Sequence, residues 1–232
     1  MSKFIDLKKE CYKANMELKR QGLVIHTFGN VSASDQKRGV FAIKPSGVPY
    51  QELTPNNMVI VDFDNQIIEG DLKPSSDTKT HSYLYKKWDG IGGISHTHAL
   101  YSVAWSQSLR DIPVYGTTHA DHLSYDIPCT PVMTDAMVKG DYEENTGKQI
   151  IEHFSENNFD YNEIEMVLIG NHGPFCWGKS ASQSVFNSIV LEEIAKMAFL
   201  TEQINPSAKK IKKALIEKHY HRKHGKNKYY GQ

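Results

Sequence analysis

Val31-Ser32-Ala33, Val40-Phe41-Ala42-Ile43 and Met58-Val59-Ile60-Val61 follow one another between Val24 and Phe63, and they decide the fold. Each run is short, apolar and rich in β-branched residues, and the runs are punctuated by Gly29-Asn30, Pro45-Ser46-Gly47 and Pro55-Asn56-Asn57. Short runs bounded by turn-forming residues read as consecutive sheet strands. Upstream, Leu7, Cys11, Ala14 and Leu18 recur at helical spacing until Gly22, so Leu7–Gln21 reads as an amphipathic helix that ends at a glycine. Downstream, Thr78–Trp88 reads as a helix whose start is marked by Ser75, Ser76 or Asp77. Ile91–Thr97 reads as a buried strand feeding a helix over Ala99–Ser108, and Pro113 and Pro128 mark strand edges or loops. A helix over about 141–157, a strand over Met166–Ile169, and helices over Ala181–Ile204 and Ala208–His221 complete the chain. The order is mixed rather than an alternating βαβ series. It predicts an α/β domain with a central, mainly antiparallel sheet covered by helices.

No repeat, low-complexity run or Pro/Gly/Ser linker interrupts the sequence, so residues 1–232 read as one domain. With 39% hydrophobic residues and 16 glycines, the chain has enough apolar material for a packed core, which excludes global disorder. Lys+Arg and Asp+Glu both number 27, and this balance gives no overall pull toward nucleic acid or an acidic membrane. Apolar stretches such as Ile189–Ala195 are interrupted by Glu192 and Glu193 and fall short of the ~20 residues of a membrane span. The start, MSKFIDLKKE, shows no apolar signal segment, and the expected location is the cytoplasm. Cys11, Cys129 and Cys176 are far apart and read as small buried hydrophobes rather than a disulfide or zinc framework.

Eleven histidines stand out. In Ile94-Ser95-His96-Thr97-His98 the two imidazoles are two residues apart, so a strand places both on one face. Alone, this pair reads equally well as polar residues closing a strand. A third, His172, in Ile169-Gly170-Asn171-His172-Gly173, again follows an apolar strand beside glycine. Three imidazoles at strand ends suit a catalytic metal shell that keeps a position open. Asp77 offers a fourth, displaceable carboxylate, although a helix N-cap is its ordinary reading. Three small turns form a second signal: Gly29-Asn30-Val31-Ser32, Lys44-Pro45-Ser46-Gly47 and Pro74-Ser75-Ser76-Asp77. Ser75 and Ser76 precede a helix start, where free N–H groups favour an anion, and Lys44 adds a point charge. A phosphorylated small molecule is the expected ligand.

Those turns, with His96-Thr97-His98, Gly116-Thr117-Thr118-His119-Ala120-Asp121, His172-Gly173-Pro174 and Tyr229-Tyr230-Gly231-Gln232, resemble the class II aldolase/epimerase family along essentially the whole chain. The resemblance implies a sheet sandwiched between helix layers, one Zn2+ or other divalent ion per subunit, and a homotetramer with active sites at subunit interfaces. It implies metal ligation by His96, His98 and His172 with Asp77 beside them. By the same likeness Asn30, Lys44, Ser46, Gly47, Ser75 and Ser76 bind phosphate, and Asp121 and Tyr230 are the acid/base pair. His219 matches a supporting position, and the tail over 219–232 closes the site. Family aldolases acting on fuculose or rhamnulose phosphates usually carry Glu where this chain has Asp77, which points to the epimerase branch and to interconversion of L-ribulose 5-phosphate and D-xylulose 5-phosphate at C4, in arabinose- or ascorbate-type catabolism. An aldolase, or a non-catalytic interaction module of the same fold, is the alternative. The basic stretch Lys218–Lys228 is expected to close over a sugar phosphate, with neither nucleic acid nor membrane as partner. His26 and His122 depart from the family pattern, and their roles are unassigned.

Overall fold

In a computed structural model that describes residues 2–225 and Tyr229, the three apolar runs form β1 (Asn30–Asp35), β2 (Val40–Ile43) and β3 (Val59–Asp62). Successive residues of a strand point to opposite faces. On β2, Val40 and Ala42 pack with Cys11, Ala14 and Leu18 of α1 (Ile5–Arg20), while Phe41 and Ile43 pack with Leu84, Tyr85 and Trp88 in and just beyond α2 (Thr78–Lys87). Both faces are buried, which is why these strands are continuously apolar rather than alternating with polar residues.

Adding β4 (Ile67–Glu69), β5 (Gly93–His96), β6 (Met166–Leu168) and β7 (Pro174–Gly178) gives one seven-stranded sheet of order β4-β3-β2-β1-β5-β7-β6. Every neighbouring pair is antiparallel, as the mixed element order predicts. The remaining helices are α3 (Leu100–Ser108), α4 (Thr117–Ala120), α5 (Asp135–Lys139), α6 (Tyr142–Glu156), α7 (Ala181–Ile204) and α8 (Lys213–His224). Helices α1 and α7 cover one face; Ser95 of β5 donates to the Ser184 carbonyl of α7 at 2.9 Å. Gly93 permits that approach, since a Cβ there would sit 2.3 Å from the Ala181 Cα. The other face carries α2 and α6, with Trp88 centred 4.7 Å from Trp177 and 5.2 Å from Phe154. Cys11, Cys129 and Cys176 are buried free thiols, as expected, and burial pushes Cys129 and Cys176 up to about 12.

Five elements depart from the sequence reading; two are the short helices α4 and α5, of four and five residues, too short to show a helical period. Strand β7 is absent from that reading because its five residues follow Gly173, begin with Pro174 and end at Gly178, which look like turn residues. Pro174 is nevertheless tolerated as the first residue of a strand. Strand β4 is a short edge strand whose Ile67 and Ile68 are exposed, so it carries no burial signal. The last helix begins at Lys213 rather than Ala208, because Ile211 instead donates its backbone N–H to the Val114 carbonyl at 3.0 Å.

Candidate active site

His96 is the last residue of β5, in register with Asn30 on β1 and Phe175 on β7. His98 lies two residues on, and His172 sits in the turn between β6 and β7. That turn places Asn171 in the left-handed region (φ 63°) and brings Gly173 so close to the His96–His98 segment that a Cβ would lie 2.9 Å from the Thr97 carbonyl oxygen. Ring centroids are separated by 4.9 Å (His96–His98), 4.8 Å (His96–His172) and 5.3 Å (His98–His172), and one ring nitrogen from each, able to act as a ligand, lies within 4.8 Å of the others.

The His96 Nδ1–H donates to the Pro174 carbonyl at 2.9 Å, which leaves the lone pair on Nε2. That Nε2 faces the Nε2 of His98 at 3.1 Å. Burial lowers the pKa of all three rings, to about 3 for His96 and His172, so they are neutral at pH 7. A proton shared between two Nε2 atoms satisfies only that pair, whereas one divalent cation satisfies three converging neutral imidazoles. The donor set therefore fits the metal that the sequence predicts.

The turns meet the same space. The Ser46 N–H donates to the Lys73 carbonyl at 2.9 Å and the Ser75 N–H to the Lys44 carbonyl at 3.0 Å, zipping the two turns side by side at the start of α2. Asn30, Lys44, Ser46, Gly47, Ser75, Ser76 and Asp77 line one cavity of about 410 Å³ together with His96, His98 and His172. The buried Lys44 donates to the Thr27 carbonyl at 3.0 Å and lies 5.0 Å from the Tyr50 ring centre. Burial lowers its pKa to about 8, and no carboxylate forms an ion pair with it among the described residues. An anionic group entering the cavity would supply the missing charge.

Asp77 holds the N-cap position of α2, yet its side chain caps nothing; instead, Asn30 Nδ2 donates to Asp77 Oδ2 at 2.6 Å. The three-histidine cluster does not include Asp77, which lines the same cavity beside it. Its short carboxylate is engaged by β1 on the cavity wall. The Asn30 Oδ1 is buried with no partner among the described residues.

Phe28, Tyr142 and Glu143 also line the cavity, and sequence reading does not find them. The Tyr142 hydroxyl shares a 3.2 Å hydrogen bond with His172 Nδ1. Its local pattern signals only a helix start, with Asp141 as the N-cap whose side chain accepts from the Glu144 N–H; nothing there points across to His172.

Asp121 lies elsewhere. It follows α4, and its carboxylate accepts hydrogen bonds from Arg222 Nε (2.8 Å) and Nη2 (2.7 Å) and shares one with His219 Nδ1 (3.0 Å). Burial pushes its pKa up, but the bonds from Arg222 and His219 outweigh this and hold the carboxyl below its usual range. His224 Nε2 donates to the Asp121 carbonyl at 3.0 Å. The predicted tail thus begins as the last turns of α8, packed on α4, rather than as a strap over the histidines of its own chain. The other predicted acid/base residue, Tyr230, lies outside the described residues. His122 is half-buried, its ring centre 5.7 Å from that of Phe186, and burial lowers its pKa to about 4. His26 is an exposed loop residue at φ 51°.

Comparison with known proteins places this site in context. A protein of Salmonella paratyphi C (strain RKS4594) named L-ribulose-5-phosphate 4-epimerase UlaF is 48% identical over 226 residues, covering 97% of this chain and 98% of its own length. The protein of the same name from Salmonella choleraesuis (strain SC-B67) matches equally, at 48% over 97% of this chain and 98% of its own. Among solved structures, an L-fuculose 1-phosphate aldolase superposes with a TM-score of 0.76 at 23% identity, over 94% of this chain and 95% of its own. The L-fuculose 1-phosphate aldolase of Glaciozyma antarctica PI12 gives 0.75 at 15%, over 93% and 80%. These two likenesses concern the fold alone. Residues 9–199 match the family described as Class II Aldolase and Adducin N-terminal domain, and with a near-full-length relative at 48% identity the chain belongs to that family.

Proposed function

We propose that this protein is an L-ribulose-5-phosphate 4-epimerase, which interconverts L-ribulose 5-phosphate and D-xylulose 5-phosphate. The observation that carries this reading is the single cavity in which a three-imidazole cluster and two phosphate-suited turns stand together. The near-full-length relatives of that name support it.

The C4 hydrogen of the ketose is β to the C2 carbonyl, so its removal gives no stabilised enolate. Cleaving the C3–C4 bond and re-forming it on the other face of the aldehyde inverts C4 instead. A divalent ion held by His96, His98 and His172, proposed as Zn2+ and one per subunit, would supply Lewis-acid polarisation of the ketose carbonyl. Lys44, Asn30, Ser46, Gly47, Ser75 and Ser76 would hold the phosphate, so that the glycolaldehyde phosphate fragment rotates without leaving. Asp77, fixed by Asn30, would keep a carboxylate beside the cluster rather than in it.

Two groups must take and return the C4 hydroxyl proton, one for each facial orientation. Asp121 and Tyr230 would fill these roles from a neighbouring subunit, with His219 supporting Asp121. This shared-site reading is supported by the absence of Asp121 from the residues that line its own chain's cavity. It is also supported by the exposed apolar residues Met197, Phe199, Leu200 and Ile204 near the end of α7, the last 85% exposed, which suit burial in a homotetramer. Residues 219–232 would then close a partner's site. No described helix is long and apolar enough to cross a membrane, and the proposed location is the cytoplasm.

The test is to follow L-ribulose 5-phosphate with the purified enzyme. Formation of D-xylulose 5-phosphate without free aldehyde is expected. Accumulation of free glycolaldehyde phosphate would indicate an aldolase, and inertness a non-catalytic module.

A further inference from the structure

The three imidazoles are not held alike. A backbone group, the Pro174 carbonyl, fixes His96 through its Nδ1. Among the described residues His172 has no such backbone partner for its ring; its Nδ1 meets the Tyr142 hydroxyl, 3.2 Å away and carried by a different element, α6. Resting on the metal-site reading above, we infer that Tyr142 is the positioning residue of His172. Its hydroxyl oxygen accepts the Nδ1–H, which fixes the tautomer and aims the Nε2 lone pair at the divalent cation.

Three observations lead there. With Nδ1 engaged by Tyr142, Nε2 is the nitrogen of His172 left to act as a ligand, and it then matches the Nε2 atoms that His96 and His98 already present to each other at 3.1 Å. Tyr142 is half-buried on the cavity wall, and its hydroxyl lies 3.2 Å from His172 Nδ1. The backbone behind it is clamped: Thr80 Oγ1 of α2 donates to the Glu143 carbonyl at 2.6 Å, Thr146 Oγ1 donates to the Tyr142 carbonyl at 2.9 Å, and Lys79 pairs with Asp141. Gly147 lets the two helices close on each other, since a Cβ there would meet the Tyr83 side chain at 2.9 Å. Because α2 also starts at Asp77, the α2–α6 contact ties the carboxylate and the third imidazole to one rigid pair.

The experiment is metal binding, read without turnover. Full-length protein freed of metal by a chelator is titrated with Co2+ alone, following the ligand-field absorption and the dissociation constant. Tyr142→Phe removes one oxygen, and it should weaken Co2+ binding about 10- to 100-fold and alter the absorption band, the range found when such an outer partner is lost. Lys148→Met breaks only an exposed ion pair with Glu144 on the same helix, leaves the hydroxyl and its clamps untouched, and should leave the affinity within about twofold of the parent protein. Unfolding midpoints of the metal-free proteins should coincide for the parent and Tyr142→Phe. Equal Co2+ affinity and spectrum in Tyr142→Phe would overturn the inference while the metal site stands, as would equal weakening in both variants. Failure of the parent protein itself to bind Co2+ would instead remove the metal-site reading, and the inference with it.

Discussion

The cavity and the Asp121 cluster are built by opposite means. In the cavity, side chains distant in sequence are brought together by the sheet itself: Asn30 and His96 are register partners on adjacent strands, and β5 and β7 place His96 beside the turn that holds His172. At Asp121, just after the short helix α4, the carboxylate is gripped by Arg222 and His219 of α8, and His224 of the same helix holds the backbone carbonyl. One region gathers the residues proposed to hold a cation and a phosphate. The other holds a proposed acid/base group that does not line that cavity. Binding is thus proposed to be a property of the single fold, and proton transfer a property of the assembly.

The largest break in that comparison comes from the cavity side. His98→Asn should lose the metal and, since Lewis-acid stabilisation contributes several kcal/mol, lower the rate by about a thousandfold or more, while α8 keeps its grip on Asp121. Metal analysis, turnover and circular dichroism on one preparation check all three. Full metal content would remove the assignment.

From the other side, Arg222→Gln should lower the rate by about a hundredfold with metal content unchanged, because general acid–base contributions are typically that large. It should also move the acid limb of the pH–rate profile upward. Asp121 has a depressed folded pKa, so the stability its ion pair contributes is fully present above the unfolded value of about 4 and is lost as pH falls through the depressed one. Without Arg222 the carboxylate protonates at higher pH. An unshifted acid limb would mean that Asp121 does not act in turnover.

Ser76→Asp sets like charge against the bound phosphate and should raise KM by about tenfold, with a smaller change in kcat. The smallest expected effect belongs to Lys44. Its pKa of about 8 means that the free enzyme loses this positive charge as pH rises through that value, so KM should climb by a few-fold between about pH 7 and 9. Lys44→Met should show a higher KM with a flat profile over that range.

The sequence made the cavity legible because strand alternation and turn chemistry are local. The runs at β1, β2 and β3, the H-x-H pair and the serines ahead of α2 each signal their own geometry, and the sheet multiplies them. What escaped detection depends on contacts between elements. Strand β7 is bracketed by glycine and proline and looks like a loop until its neighbours pair with it. Asp77 reads as a helix cap, but Asn30 claims its carboxylate across 47 positions. Tyr142 meets His172 only because α6 is docked on α2. His219 meets Asp121 only because α8 is docked on α4.

The division between a complete binding cavity and a donated acid/base group is tested most directly by mixing subunits. His98→Asn and Tyr230→Phe proteins, each nearly inactive alone, are unfolded together, refolded, and shown by mass to form mixed oligomers. With shared sites, some interfaces unite an intact histidine cluster from one chain with an intact Tyr230 from its neighbour, so part of the activity should return. Verified mixed oligomers no more active than their parents would contradict the account and confine each site to a single chain.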